Sequence, residues 1–556
     1  MRRIVAALVS TLLTLLALPA HPAADPAAES PKVFARFADG KPQPGCAASV
    51  MRDGKVLWAD GFGYADLATG RKVTADTVFN IASMSKQFTA FAILQLEAEG
   101  KLALDDSIRK FVPELGDFAQ PVTLRHLLHH TGGLRDYMAF ALYQGVAFAD
   151  KLSEEDVLKL VARQKGANFA PGSEHQYSNT GYFLLSIVVE RVSKQSMREY
   201  SAEHIFAPLG MRETGIVDRY PHHLSALARG YGKSEKSGYD IDESAWENTG
   251  DGQVHTTVRD FALWDQNLST GRVGGRALIE KMTEAGTLGN GDKLDYAMAL
   301  MLGRYRGLPM VHHSGSWAGY HGNYARFPQQ NLGIVVLCNS PDVRPRQYSM
   351  KLADVWLGDT MKPLDPAADS PAGASFLREA GVAATQATPA TPGLYANEVG
   401  SLLEVRRGKQ GLELSADTFK GRLGAMQANV YPLSQEYPMI WVAFPARDRI
   451  AIEAIPHALM SPHVYSPQQA WQPKSLQPFV GSYFSDDADV AFSVAQGKSG
   501  LVLTLRGETV PLRPVATNRF RAESKNYPLG LIEFRADGSA LLLADDPRGL
   551  VFRRKD

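Results

Sequence analysis

Thr77-Val78-Phe79-Asn80-Ile81-Ala82-Ser83-Met84-Ser85-Lys86-Gln87-Phe88-Thr89-Ala90-Phe91-Ala92-Ile93-Leu94-Gln95-Leu96 runs from a short strand-like segment straight into a long apolar stretch, with Ser83 and Lys86 at the junction. Residues three apart on a helix share a face, so the Lys86 stem reaches the Ser83 hydroxyl. A serine with an amine at that distance is a nucleophile with a built-in proton acceptor, the S-x-x-K arrangement. The pattern is short, and Ser107-Ile108-Arg109-Lys110 fits it too. Ser107 lies in a polar connector, however, whereas Ser83 heads an apolar helix whose N-terminus exposes free N–H groups.

Outward from this junction, the apolar spacing predicts helices over 83–100, 153–163, 180–193 and 347–357. Another is predicted after Thr257, an N-cap with Asp260 at the third helical position ahead of Phe261-Ala262-Leu263-Trp264. Arg52-Asp53-Gly54-Lys55 marks a hairpin near the start, and strand patterns return at 309–313, 322–327 and 333–338. Hairpin, helices, then strands and a last helix predict an α/β domain over 32–362 whose sheet joins both ends of the segment. Ala, Pro, Asp, Ser and Thr then dominate a linker at 363–391. Beyond it, Gly393-Leu394-Tyr395 followed by Gly408-Lys409-Gln410-Gly411 is echoed by Gly481-Ser482-Tyr483 followed by Gly497-Lys498-Ser499-Gly500. The repeat predicts two small antiparallel β-barrels, at 392–472 and 473–556, with one distorted sandwich as the alternative.

Composition narrows the function. The 59 Lys and Arg balance 59 Asp and Glu among 556 residues, so the basic footprint of a nucleic-acid binder is missing. Met1-Arg2-Arg3, an apolar run over 4–18 and the small residues that follow read as a signal peptide at 1–24. That run is shorter than the ~20 residues a membrane span needs, so the expectation is an exported, periplasmic or secreted protein with no retained span. Cys46 and Cys338 each lie in a strand-like run. An oxidising compartment permits a disulfide if the two strands are neighbours, but buried free thiols are the plainer expectation.

Two further triplets follow Ser83 in order, Tyr177-Ser178-Asn179 and His313-Ser314-Gly315. Each has a decoy, Tyr395-Ala396-Asn397 and His130-Thr131-Gly132. Tyr395 belongs to the C-terminal repeats, while His313 opens a Gly-rich turn after a strand. The adjacent pairs His129-His130, His222-His223 and His312-His313 suggest metal ligation only superficially, because neighbours on a strand point to opposite faces. No metal site and no G-x-S-x-G elbow are expected.

With Leu127–Leu134 and Asp251–Asp260 between them, the three ordered motifs resemble the penicillin-recognising serine hydrolases, in particular the class C β-lactamase-like branch that includes D-aminopeptidases and related esterases. The resemblance covers about residues 32–360, and the C-terminal segments resemble, more loosely, the barrel pair of D-aminopeptidases. It implies a catalytic domain with a mixed antiparallel sheet flanked by helices and catalysis without a cofactor. Ser83 is then the nucleophile, Lys86 or Tyr177 the general base, Asn179 a partner of Lys86 and of the substrate amide, and the N–H groups of Ser83 and Ser316, beside Gly315, the oxyanion donors. Many relatives carry Lys where His313 stands, to fix a substrate carboxylate. A histidine mostly neutral at pH 7 shifts the expected substrates to D-aminoacyl peptides, amides or esters. The alternatives are a β-lactamase or DD-peptidase and, outside turnover altogether, a slowly deacylating penicillin- or peptidoglycan-binding protein.

Overall fold

In the computed structural model, residues 25–220, 226–363 and most of 391–555 are described. The expected signal peptide, the pair His222-His223 and nearly all of the expected linker lie outside the described residues. Asp53 and Gly54 both adopt left-handed backbone, with φ of 51° and 73°, as a two-residue hairpin turn requires. They join β1 (Cys46–Arg52) to β2 (Lys55–Phe62). The remaining strands of the sheet come from far along the chain: β3 (Met301–Tyr305), β4 (Leu308–Trp317), β5 (Tyr320–Phe327) and β6 (Leu332–Cys338). Their order is β3-β4-β5-β6-β1-β2, antiparallel throughout, so the sheet does join both ends of the domain.

The β1–β6 register sets Cys46 directly opposite Cys338, and the two form a disulfide across 292 residues of sequence. This corrects the expectation of free thiols. Which strand neighbours which is a long-range outcome, and no local pattern near either cysteine announces it.

Four helices frame the sheet: α1 (Lys86–Ala98), α2 (Asn179–Ser193), α3 (Val258–Thr270) and α4 (Pro345–Leu357). Lys86 to Leu94 and Leu96 of α1 are all buried, the signature of a helix enclosed on every side. Phe88 and Phe91 pack on Trp264 of α3 at 4.7 and 5.2 Å between ring centroids. Thr257 caps α3 by accepting the Asp260 N–H, but the Asp260 carboxylate turns outward to the Glu213 N–H and the Thr214 hydroxyl. On the opposite face of the sheet, Leu352, Ala353 and Leu357 of α4 cover Ile334 and Val336.

Among the described residues, each of the two C-terminal repeats has eight strands, paired antiparallel. The first, from Gly393–Ala396 to His463–Pro467, forms one sheet whose first strand pairs with its last. The second, from Gly481–Ser485 to Leu550–Lys555, is a closed barrel. The echo seen in the sequence has structural counterparts: Gly408 pairs with Gly411 and Gly497 with Gly500 at equivalent hairpins. Likewise Tyr395 donates to the Thr391 carbonyl, and Tyr483 to the Phe479 carbonyl, each four residues back.

Candidate active site

Ser83 lies in a single 3-10 turn, Ala82–Ser85, immediately before α1. The turn is sharp: Ala82 has φ of 48°, a conformation an alanine adopts only under restraint. The restraint is visible. Asn80 Oδ1 accepts the Ala82 N–H at 2.7 Å, Ile81 donates to the Val254 carbonyl, and Ser85 Oγ accepts the Val254 N–H. As the second residue of the turn, Ser83 has no intrahelical acceptor for its N–H.

Lys86 lies one turn on and is fully buried. Its Nζ donates to Ser83 Oγ at 3.2 Å, Asn179 Oδ1 at 2.9 Å and the Asp251 carbonyl at 2.8 Å. Burial lowers its pKa to about 8, against the upward pull of the Asp251 and Asp136 carboxylates. Asp136 caps its own helix through the Met138 N–H and also accepts the Asn179 N–H at 2.5 Å, so one carboxylate serves two helix N-termini. Asp251 is held by the Tyr137 hydroxyl at 2.7 Å and the Asn248 amide at 3.0 Å, and burial pushes its carboxyl up to about 6. The Tyr177 ring lies 4.7 Å from Lys86 Nζ. Its hydroxyl is buried beside Ser83, and burial holds it well above the usual phenol range against a smaller downward pull from the Ser83 hydroxyl.

His313 belongs to a directed chain of hydrogen bonds. The Ser178 N–H donates to His130 Nδ1 at 3.2 Å, which leaves Nε2 of the neutral ring as the donor toward Tyr296 Oη, 3.0 Å away. The Tyr296 hydroxyl then faces His313 Nε2 at 3.4 Å, and His313 Nδ1 lies 2.6 Å from the Ser314 carbonyl, which only accepts. Each ring is thus fixed in one neutral tautomer. Burial, with Lys86 adding to it, drives the His313 pKa down to about 3. Gly315 lets β4 approach the turn that carries Ser83, since a Cβ there would overlap the Ile81 carbonyl oxygen. Ser316 is exposed at the end of β4, and its hydroxyl meets His321 Nδ1 at 2.9 Å.

The structure therefore brings Ser83, Lys86, Tyr177, Asn179, His313 and Gly315 to one place. Ser107 instead caps a short turn and donates to the Gln120 carbonyl, and Tyr395 lies in the first C-terminal sheet. Of the histidine pairs, His312 turns away to Arg346 while His313 faces the site, as alternation on a strand demands. Among the described residues, no group of three His, Cys, Asp or Glu is placed to hold a metal ion. Sequence reasoning missed Asp136, Asp251, Tyr296 and His130. His130 directly follows Leu127-Leu128-His129, and that apolar run into a histidine pair is a usable signal in the sequence.

A sharp serine turn at the head of a buried helix, a lysine of lowered pKa and a tyrosine–asparagine turn against an antiparallel strand define a serine hydrolase of the penicillin-recognising class. The family model described as Beta-lactamase matches residues 32–354, and the chain belongs to that family. It is 31% identical to Penicillin-binding protein 4* of Bacillus subtilis over 320 residues, 54% of this chain and 69% of that protein. A D-aminopeptidase of Cereibacter sphaeroides is 29% identical over 297 residues, 53% of this chain and 57% of that one. The octameric penicillin-binding protein homologue from Pyrococcus abyssi superposes with a TM-score of 0.56 at 24% identity, over 79% of this chain and 99% of that structure, which supports the fold.

Proposed function

We propose that this protein is an exported hydrolase that cleaves amide or ester bonds of small substrates through an acyl-Ser83 intermediate, with D-aminoacyl amides and peptides as the leading class. The observation that carries the substrate choice is His313, held neutral by burial and by nearby Lys86 where a carboxylate-binding cation would stand. The D-aminopeptidase relative points the same way. Lys86 is the general base, because its lowered pKa leaves an appreciable neutral fraction near pH 7, whereas Tyr177 stays a phenol. Neutral Lys86 takes the Ser83 proton as Oγ attacks the carbonyl carbon. The N–H groups of Ser83 and Ser316 hold the oxyanion, and the proton passes to the leaving amine or alcohol; water then attacks the acyl-enzyme. Asn179 fixes Lys86 and presents its amide to the substrate. The catalytic unit spans 32–362 and the two β units 392–472 and 473–556.

Incubating wild type and Ser83→Ala with p-nitrophenyl esters, D- and L-aminoacyl p-nitroanilides and a chromogenic cephalosporin tests this. Turnover of the esters and D-aminoacyl anilides is expected to fall at least ~10³-fold in Ser83→Ala, with the cephalosporin a poor substrate. A stable adduct on Ser83 without turnover would overturn the reading in favour of a binding protein.

A further inference from the structure

The closed C-terminal barrel meets the catalytic domain through turns at one of its ends. At the rim, Arg163 pairs with Asp489 at 2.6 Å, and Arg506 donates to the Tyr143 carbonyl at 3.0 Å. Two other contacts lead inward. Asp487 pairs with Arg135 at 2.6 Å, where the Arg135 side chain is only 8% exposed, and Arg135 also donates to the Arg548 carbonyl at 3.1 Å. The next residue is Asp136, whose carboxylate accepts the Asn179 N–H, and the Arg135 carbonyl itself accepts the Thr180 hydroxyl at 2.9 Å. On the other flank, the Arg548 N–H donates to Asn168 Oδ1 at 2.8 Å, and the Asn168 amide donates to Gln176 Oε1 at 2.9 Å, one residue before Tyr177.

We propose that the second barrel is a positioning part of the active site: Asp487 through Arg135, and Arg548 through Asn168, brace the Tyr177-Ser178-Asn179 turn and, through Asn179, the catalytic lysine. A buried guanidinium must be paired, so Asp487 fixes where Arg135 lies and with it the backbone that carries Asp136. Two anchors on opposite flanks leave the turn little freedom. The barrel thereby contributes to the reaction without supplying a group that touches the substrate. The kinetic half of this inference rests on the acyl-serine reading above; the geometric half does not.

Hydrogen exchange on the full chain reads the bracing without any substrate. Asp487→Ala is expected to speed exchange of the amides at 176–180 by about tenfold or more, while Arg163→Ala, which breaks the neighbouring rim pair, leaves them unchanged. In Ser83-dependent ester turnover, Asp487→Ala lowers kcat by about 10- to 100-fold, as a ~1 Å misplacement does, with KM little changed. Arg163→Ala keeps the wild-type kcat. In an Asn179→Ala background the Asp487→Ala loss shrinks to about twofold, because both act on the same group. Unchanged exchange at 176–180, or losses that multiply in full with Asn179→Ala, overturns the inference. Asp487→Asn and Arg135→Lys give the same directions with smaller size if Asp487→Ala does not fold. Absent Ser83-dependent turnover in the wild type, the proposed function fails while the exchange comparison still decides the bracing.

Discussion

At Lys86 opposing influences meet at one nitrogen, and burial outweighs the carboxylates. Burial strips its ammonium of water and favours the neutral amine, while the carboxylates of Asp136 and Asp251 favour the charged one. His130 and His313 also face it but are held neutral, and Tyr177 and Tyr182 present their rings. A general base works only when unprotonated, so kcat/KM is expected to rise with pH through about 8, the value set by this balance. Asp251→Asn removes one of the two charges that keep the proton on. The acid limb then moves to lower pH, by about one unit, and a pH–rate profile of wild type against variant checks both position and direction. A limb that stays put would assign the proton transfer to another group.

Among the elements, β4 and the turn before α1 matter most, and their contact depends on a missing side chain. Gly315 places the β4 backbone against the Ile81 carbonyl, so the strand that carries His313 lies beside the turn that carries Ser83. Gly315→Ala forces strand and turn apart. Ester turnover should fall by about 10²-fold while far-UV circular dichroism and exchange in the distant barrel stay as in the wild type. The helices are less demanding. Helix α1 was legible because its apolar run has no polar face, and α3 because Thr257 and Asp260 stand at capping distance. The hairpin followed from Asp53-Gly54, two residues that tolerate left-handed backbone. Where local chemistry dictates an element, the sequence and the structure agree to within a few residues.

At the scale of the molecule, the Cys46–Cys338 bond ties the two ends of the catalytic domain together across 292 residues. A loop that long restricts the unfolded chain strongly, so Cys46→Ala with Cys338→Ala is expected to cost about 3–5 kcal/mol, read as a lower denaturant midpoint with ester turnover retained under native conditions. A midpoint unchanged from the oxidised protein would mean that the bond adds nothing. The closed barrel is joined to this domain by a different logic, through Asp487 on Arg135 and through the Arg548 N–H on Asn168, whose amide donates to Gln176. Neither relation has a local signature. The sequence by itself determined the Ser83–Lys86 spacing, the order of the three motifs and the repeated β units, because each rests on residue types at short, fixed spacing. Only the tertiary structure decided that Cys46 faces Cys338, that Asp136 and Asp251 flank Lys86, that His313 is buried near Lys86 and faces Tyr296, and that the closed barrel meets Arg135 and Asn168. Those facts depend on which distant segments share a buried space, and burial is what turns ordinary carboxylates and imidazoles into groups that set a proton's position.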